Sequence, residues 1–320
     1  MLPTLDDIES AAKIVYAAMP ATPQYCWPLL CERLGTEAWL KHESHTPVGA
    51  FKIRGGLVYF SELVKDKTVK GVISATRGNH GQSVGLAARR CGLAAKIVVP
   101  FGNSIEKNAA MRALGVELIE HGGDFQAARE YAEALAREQS LHMVPSFHRL
   151  LVAGVATCGM ELLRSVPDLD TVFVPIGLGS GICGMLAARD ALGLKTEVVG
   201  VVSAHARAYA ASFAARRPVE SPVTTRLADG LACRTPEPEA LEFIWRGVDR
   251  IVEVSDAEVA EAIRVIFECT HSASEGAGAA AVAAAMKEKS RTAGRNIGVI
   301  LSGGNIDREV FARVLARDFV

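Results

Sequence analysis

The residue best placed for covalent chemistry is Lys52, which stands directly behind Phe51 in the glycine-flanked stretch 46–56. A lysine amine acts as a nucleophile or base only where partial desolvation keeps it neutral near pH 7. Phe51 and the apolar residues on either side would supply that environment. For a lysine taken alone, a solvated side chain at a helix start is the simpler interpretation. Three further stretches favour chemistry instead: 74–82, 177–181 and 302–305.

Residues 177–181 read Gly-Leu-Gly-Ser-Gly and directly follow a predicted strand at 171–176. Glycines at a helix start let backbone N–H groups approach an anion, whose charge the helix dipole favours. A phosphate is the expected ligand, although a tight strand-to-helix turn alone would give the same pattern. Residues 179–184 also match GxGxxG, which suits a dinucleotide if an acid ends the next strand. That strand has its only acid, Glu197, at its start, so a nicotinamide cofactor fits less well.

One cofactor would use all four stretches. Pyridoxal 5′-phosphate has one phosphate, one aldehyde that condenses with a lysine amine, and one aromatic ring that withdraws electrons from the substrate. It needs a phosphate cup, a hydrogen-bond donor to its ring hydroxyl and a partner for its ring nitrogen. Residues 177–181, Asn79 and Ser302 fit these three needs in turn.

In the order and content of its motifs, the chain resembles the fold-type II pyridoxal-phosphate enzymes, specifically the serine/threonine dehydratase and serine racemase branch. The matching motifs span nearly the whole chain and are residues 49–55, 78–82, 177–181, 228–230 and 302–305. The resemblance implies a two-lobed α/β fold in which each lobe is a mostly parallel sheet flanked by helices. It implies a large cofactor-binding domain at 1–64 and 150–320, and a small, mobile substrate-side domain at 65–149.

The resemblance also implies a role for individual residues. Lys52 carries the cofactor and shuttles the proton, while Phe51 and Gly230 cover the two faces of its ring. Asn79 bonds the ring hydroxyl, and Ser302 bonds the ring nitrogen. The phosphate lies on Gly177, Leu178, Gly179, Ser180 and Gly181. The substrate carboxylate binds the loop formed by Thr76, Arg77, Gly78, Asn79 and His80.

Two departures from the family pattern narrow the function. Members commonly have Ser-Ser-Gly-Asn-His where residues 76–80 of this chain read Thr-Arg-Gly-Asn-His. In the racemases the second serine is the acid on the far face of the substrate. Because the arginine at that position, Arg77, is a poor proton donor, racemisation is disfavoured. Several relatives bind a divalent cation through acids at positions held here by Ser203 and Tyr209, so we expect no metal there.

These features predict a dehydratase, or ammonia-lyase, that converts a β-hydroxy amino acid into a 2-oxo acid and ammonia by β-elimination. Threonine, serine, 3-hydroxyaspartate and phenylserine types of substrate all stay open. A β-replacement synthase or an amino-acid racemase on the same fold is the alternative, and a non-catalytic binding protein is the third hypothesis. Arg77 either packs against its loop or pairs with an acid, or it meets a second polar group such as the β-carboxylate of 3-hydroxyaspartate.

The elements that must position these residues alternate along the chain. Short β-branched runs follow longer Ala-, Leu- and Glu-rich segments from Lys70 onward, which predicts βαβ units and a parallel sheet. Predicted strands lie at 37–43, 72–73, 96–99, 116–119, 143–144, 171–176, 197–202, 250–254 and 296–301. Predicted helices lie at 82–91, 105–114, 124–138, 256–268 and 277–289, and a first helix follows Thr4. Residues 214–238 are expected to form a long loop over the site.

Composition sets the broad class. A chain of 320 residues with 49% hydrophobic and 22% charged residues suits one large or two modest soluble domains. A net charge of −1 argues against nucleic acid or an anionic membrane as a partner. Seven scattered cysteines without a CxxC motif indicate reduced thiols and a cytoplasmic location. We expect a small-molecule amino-acid substrate, no membrane span and, from the resemblance, a homodimer or homotetramer.

Overall fold

The computed structural model describes residues 1–319. The chain forms two β-sheets, and the segments predicted to bind the cofactor or substrate lie next to their strands. The strands are β1 (Gln24–Cys26), β2 (Glu37–His42), β3 (Gly71–Ala75), β4 (Ala94–Val99), β5 (Glu117–Glu120), β6 (His142–Met143), β7 (Thr171–Pro175), β8 (Glu197–Ser203), β9 (Arg250–Val254) and β10 (Asn296–Leu301). One sheet has the strand order β1-β2-β10-β7-β8-β9, and the other has the order β5-β4-β3-β6. Apart from the antiparallel pair β1–β2, the paired strands within residues 1–319 run parallel.

Helices fill the connections between the strands. They are α1 (Leu5–Tyr16), α2 (Pro28–Leu34), α3 (Lys52–Leu63), α4 (Asn79–Arg90), α5 (Ile105–Ala113), α6 (Phe125–Glu138), α7 (Arg149–Ser165), α8 (Ser180–Ala191), α9 (Ala208–Ala215), α10 (Pro238–Gly247), α11 (Asp256–Thr270), α12 (Gly276–Lys287), α13 (Lys289–Thr292) and α14 (Arg308–Leu315). Short 3₁₀ turns lie at Glu43–His45 and Asp229–Leu231. Parallel sheets flanked by helices confirm the expected α/β class.

The larger sheet is covered on both faces, which explains its apolar strands. Helices α11 and α12 pack with Leu40, Phe173 and Val299 in one hydrophobic cluster. Helices α7, α8 and α10 pack with Val172 and Val198 in another. Small side chains let α12 lie close to the sheet, because Gly276 through Ala285 are all buried. This packing fixes the carboxyl ends of the strands, where ligands of open parallel sheets bind.

Local signals in the sequence predicted many of these elements. Strands β9 and β10 occupy the predicted residues, and α1 begins with the capping pair Thr4 and Asp7. The predicted start of α4 at residue 82 is wrong, since that helix begins at Asn79. Residues 216–237 are irregular apart from one 3₁₀ turn, as the predicted long loop requires. Among residues 1–319, no helix combines the length and apolarity that crossing a bilayer demands.

Candidate active site

Lys52 is the first residue of α3, and its amine lies in surroundings that suit chemistry. The Nζ atom donates a hydrogen bond to Ser180 Oγ at 2.9 Å and lies 5.0 Å from the centroid of the Phe51 ring. Burial lowers the pKa of Lys52 to about 8. About a tenth of the amine is therefore neutral at pH 7, against about three parts in ten thousand for a solvated lysine.

The lysine turn is held against the segment that contains Ser302. The backbone N–H of Phe51 donates to the Ser302 carbonyl at 3.1 Å, and Ala50 pairs with Gly303 in an antiparallel bridge. Phe51, Gly181 and Ser302 line one cavity of about 20 Å³, room for about one water molecule. Three separate predicted cofactor-binding segments therefore meet at one point.

The glycine-rich turn at residues 177–181 opens α8 as the sequence predicted. Gly179 is the N-cap with φ of 99°, a left-handed conformation that glycine adopts most readily. A Cβ on Gly177 would lie 2.5 Å from the carbonyl oxygen of Gly230, so this close approach requires glycine. Leu178 is half-buried beside them. Backbone N–H groups at the start of α8 and the helix dipole make this turn suitable for a phosphate.

The Asn79 side chain is oriented from two sides. Its Nδ2 donates to Glu275 Oε1 at 2.5 Å, and its Oδ1 accepts from Asn305 Nδ2 at 2.8 Å. Glu275 is buried, and desolvation raises the pKa of its carboxyl group. The local sequence signal that marks Glu275 is its position just before Gly276-Ala-Gly278. Its contact with Asn79 makes it a member of the site.

Lys107 forms ion pairs between segments that flank the two sheets, close to Asn79. It lies on α5, and its Nζ is 2.8 Å from both Asp229 Oδ2 and Glu275 Oε2. Burial alone would lower the pKa of this lysine, but the two carboxylates outweigh burial and raise it. Nothing in the local sequence around Lys107 indicated this contact, because its acidic partners lie far along the chain.

The predicted carboxylate loop is the connection between β3 and α4. The Thr76 N–H donates to the Val98 carbonyl at 3.1 Å, and the Gly78 N–H donates to Thr76 Oγ1 at 3.0 Å. Because α4 begins at Asn79, the loop proper is residues 76–78, and Asn79 and His80 belong to the first helical turn. Their position at a helix N-terminus suits an anion.

Two side chains of this segment each have one nitrogen without a hydrogen-bond partner in the described chain. Arg77 is half-buried, and its Nε has no hydrogen-bond partner among residues 1–319; nor does the buried Nε2 of His80. Burial, reinforced by the charge of Lys52, lowers the pKa of His80 to about 3 and keeps its ring neutral. Of the two structural alternatives for Arg77, pairing with an acid is not observed within residues 1–319, and packing against its loop stays a prediction.

A second charged cluster lies behind the lysine turn. The guanidinium of Arg54, fully buried on α3, donates to Glu43 Oε2 at 2.7 Å and to Glu161 Oε1 at 2.6 Å. Its Nη1 also donates to Thr157 Oγ1 at 2.9 Å. Glu161 in turn accepts from the buried Lys41 Nζ at 2.5 Å. Each buried charge thus has an opposite partner, and we call Lys41, Glu43, Arg54 and Glu161 the buried ion cluster.

Comparisons with known proteins agree over most of the chain. A family model described as pyridoxal-phosphate dependent enzyme matches residues 18–303. The L-threonine ammonia-lyase of Thermotoga maritima is 32% identical over 318 residues, which are 99% of this chain and 79% of that protein.

Two solved structures extend the agreement to the fold. The processed form of threonine deaminase isoform 2 from Solanum lycopersicum has a TM-score of 0.90 and 28% identity, covering 100% of this chain and 95% of that one. Maize serine racemase has a TM-score of 0.91 and 27% identity, covering 99% of this chain and 98% of that one.

Proposed function

The chain belongs to the family of pyridoxal-phosphate dependent enzymes, and we propose that it is an ammonia-lyase acting on a β-hydroxy amino acid. The family match confirms the resemblance and the cofactor expected from the sequence. One observation carries the proposal: the likeness to an L-threonine ammonia-lyase extends over 99% of the chain. The reaction converts threonine, for example, into 2-oxobutanoate and ammonia, because the water lost in β-elimination returns in hydrolysis of the enamine.

The residues present fit pyridoxal phosphate. When bound, the cofactor withdraws electrons from the α-carbon of the substrate and makes its hydrogen acidic. In this proposal residues 177–181 hold the phosphate on the backbone N–H groups at the start of α8, where Gly179 adopts a left-handed φ of 99°. The amide of Asn79 would bind the ring hydroxyl, and the buried Ser302 hydroxyl would bind the ring nitrogen. Phe51 and Gly230 would cover the two faces of the ring.

Lys52 is the proposed attachment point and base. Its depressed pKa of about 8 supplies a neutral amine near physiological pH, as proton abstraction requires. The hydrogen bond to Ser180 Oγ at 2.9 Å holds the amine at the phosphate turn. In the same proposal, the backbone amides of residues 76–80 at the start of α4 receive the substrate carboxylate.

A screen for ammonia release tests the proposal. The holoenzyme is incubated with L-threonine, L-serine, the stereoisomers of 3-hydroxyaspartate and phenylserine, and ammonia and the 2-oxo acid are measured together. We expect equal amounts of both products from at least one substrate. Turnover of these substrates without ammonia would contradict the proposal.

A racemase is the second candidate, favoured by the match to maize serine racemase. Racemisation needs a proton donor on the far face of the substrate, and the chain has Arg77 at the position where racemases carry that donor. Chiral analysis of the remaining amino acid in the same screen separates the two reactions. Accumulation of the opposite enantiomer, with ammonia as a minor product, would favour the racemase.

The domain division, location and assembly belong to the same proposal. The sheet formed by β3 to β6 lies inside the proposed small domain at 65–149, and the other sheet lies inside 1–64 and 150–320. The buried thiols of Cys158, Cys183 and Cys233 fit a cytoplasmic protein. A homodimer or homotetramer follows from the resemblance alone, and light scattering after gel filtration measures it.

A further inference from the structure

Arg77 is the exception among the arginines that the protein buries. The other buried or half-buried arginines of residues 1–319 each have a carboxylate within 3.1 Å: Arg54, Arg189, Arg250, Arg264 and Arg295. Arg77 makes no ion pair with residues 1–319, and its buried Nε has no hydrogen-bond partner there. A buried charged donor without a partner costs free energy, so its position indicates an acceptor from outside the chain.

Residues that follow Arg77 in the described part of the chain also have buried polar atoms without partners. Buried nitrogens of His80 and Gln82, on the first turn of α4, also lack partners within the described chain. His80 is neutral, because burial holds its pKa at about 3. Among residues 76–82 Arg77 is therefore the permanently charged one, and the other positive charge that acts on His80 is that of Lys52. Lys107 on α5 is already paired with Asp229 and Glu275. Arg77 therefore remains available as the cation for an incoming anion.

Resting on the proposed function, we infer that Arg77 binds a second carboxylate of the substrate, and that the substrate is of the 3-hydroxyaspartate type. The start of α4 already offers backbone N–H groups to the α-carboxylate. A guanidinium adds a planar fork of donors, which matches a further carboxylate. The reaction balances without an oxidant: 3-hydroxyaspartate gives oxaloacetate and ammonia, with one water lost and one regained.

Other β-substituents leave Arg77 unsatisfied. The methyl group of threonine or the phenyl group of phenylserine offers no acceptor to Nε, which would stay buried without a partner. A site with a buried charged donor discriminates strongly against ligands that lack a matching acceptor. When such a ligand binds, the donor has lost its water and gains no hydrogen bond in return. The unpaired guanidinium thus acts as a specificity determinant on the β-carbon side of the substrate.

Kinetics on paired substrates test the inference. For wild type, Arg77→Ala, Arg77→Lys and Arg90→Ala holoenzymes, kcat/KM is measured with 3-hydroxyaspartate and with threonine. We expect Arg77→Ala to lose roughly 100-fold on 3-hydroxyaspartate, at least about tenfold more than on threonine. Arg77→Lys should recover only part of the loss, since a lysine lacks the fork. Arg90, exposed at the far end of α4, is the charge-matched control.

A binding measurement separates this inference from the proposed function. Succinate, an inert dicarboxylate, is titrated against the visible absorbance of the holoenzyme, with acetate as the control. We expect wild type to bind succinate at least about tenfold more tightly than Arg77→Ala does. Equal losses on both substrates, equal succinate binding, or ammonia from threonine but none from 3-hydroxyaspartate would overturn the inference alone. No ammonia from any β-hydroxy amino acid, with succinate binding still dependent on Arg77, would overturn the proposed function alone.

Discussion

Lys52 and Arg54 stand two residues apart on α3, and each brings a basic side chain into the interior. Within residues 1–319, Lys52 Nζ hydrogen-bonds only the hydroxyl of Ser180, and burial lowers its pKa to about 8. Burial alone would lower the pKa of Arg54 as well, but the carboxylates of Glu43 and Glu161 raise it well above its usual value. One helix turn therefore holds a base that loses its proton easily and another that keeps it.

The difference lies in what surrounds each charge. A buried charge with good partners contributes to a defined structure, and removal of one partner leaves the others uncompensated. A buried amine without an acid nearby is destabilised in its charged form, and that destabilisation makes it reactive. Burial of a basic residue thus indicates chemistry only where the structure has left the charge without an acid.

The largest expected effect is the loss of turnover when Lys52, the base without an acidic partner, is replaced. Lys52→Met should lower turnover by roughly 10⁴-fold, the upper range for a positioned proton-transfer group. Ammonia release with the best substrate measures the loss. Borohydride reduction followed by peptide mass spectrometry should label Lys52 in the wild type and no site in the variant. Turnover within tenfold of wild type, or label at another lysine, would refute the assignment of Lys52. Lys65→Met, at an exposed position of similar chemistry, is the control.

Replacing Arg54, the base with carboxylate partners, should have its large effect on stability instead. Arg54→Met leaves Glu43 buried without an ion-pair partner and Glu161 with Lys41 alone, and we expect the free energy of unfolding to fall by about 3–5 kcal/mol. Urea unfolding of the apoprotein at pH 7 measures it. The control, Lys65→Met, breaks an exposed pair with Glu62 and should change stability by less than about 1 kcal/mol. Similar small losses in both variants would show that the buried ion cluster is not structural.

The smallest expected effect is an increase in stability, opposite in sign to the loss expected for Arg54→Met. Lys52→Met should stabilise the apoprotein at pH 7 by up to about 3 kcal/mol, because it removes a partly desolvated ammonium. The folded pKa is about 8 and the usual value is 10.5. Between these values the unfolded chain binds the proton and the folded chain does not, so wild-type stability rises with pH. The advantage of the variant should therefore shrink from pH 8 to 10.5 in urea unfolding, and a constant difference would contradict the lowered pKa.

The sequence revealed those parts of the site whose signals are local. The lysine turn, the glycine-rich turn and the segment of Ser302 each combine glycine with a functional side chain over a few residues, and they meet as expected. Strand β10 was predicted at its observed bounds because an apolar β-branched run ends abruptly at Ser302.

Other parts depend on contacts that no local pattern records. Asn79 and Glu275 are 196 residues apart in the chain, and Arg54 and Glu161 are 107 apart. The start of α4 was misplaced because its N-cap, Gly78, has no side chain that could signal a cap. Likewise, whether Arg77 has an acidic partner depends on which acids the fold brings near it, and a local sequence pattern does not contain that information.

Lys107 gives the site a mechanical property. Its ammonium on α5 contacts Asp229 and Glu275 of the other lobe, and Glu275 also orients Asn79. If the lobes separate to exchange reactant for product, the same motion breaks this contact and releases the Asn79 side chain. Under the proposed domain division, domain separation and loss of the Asn79–Glu275 contact would then be a single event.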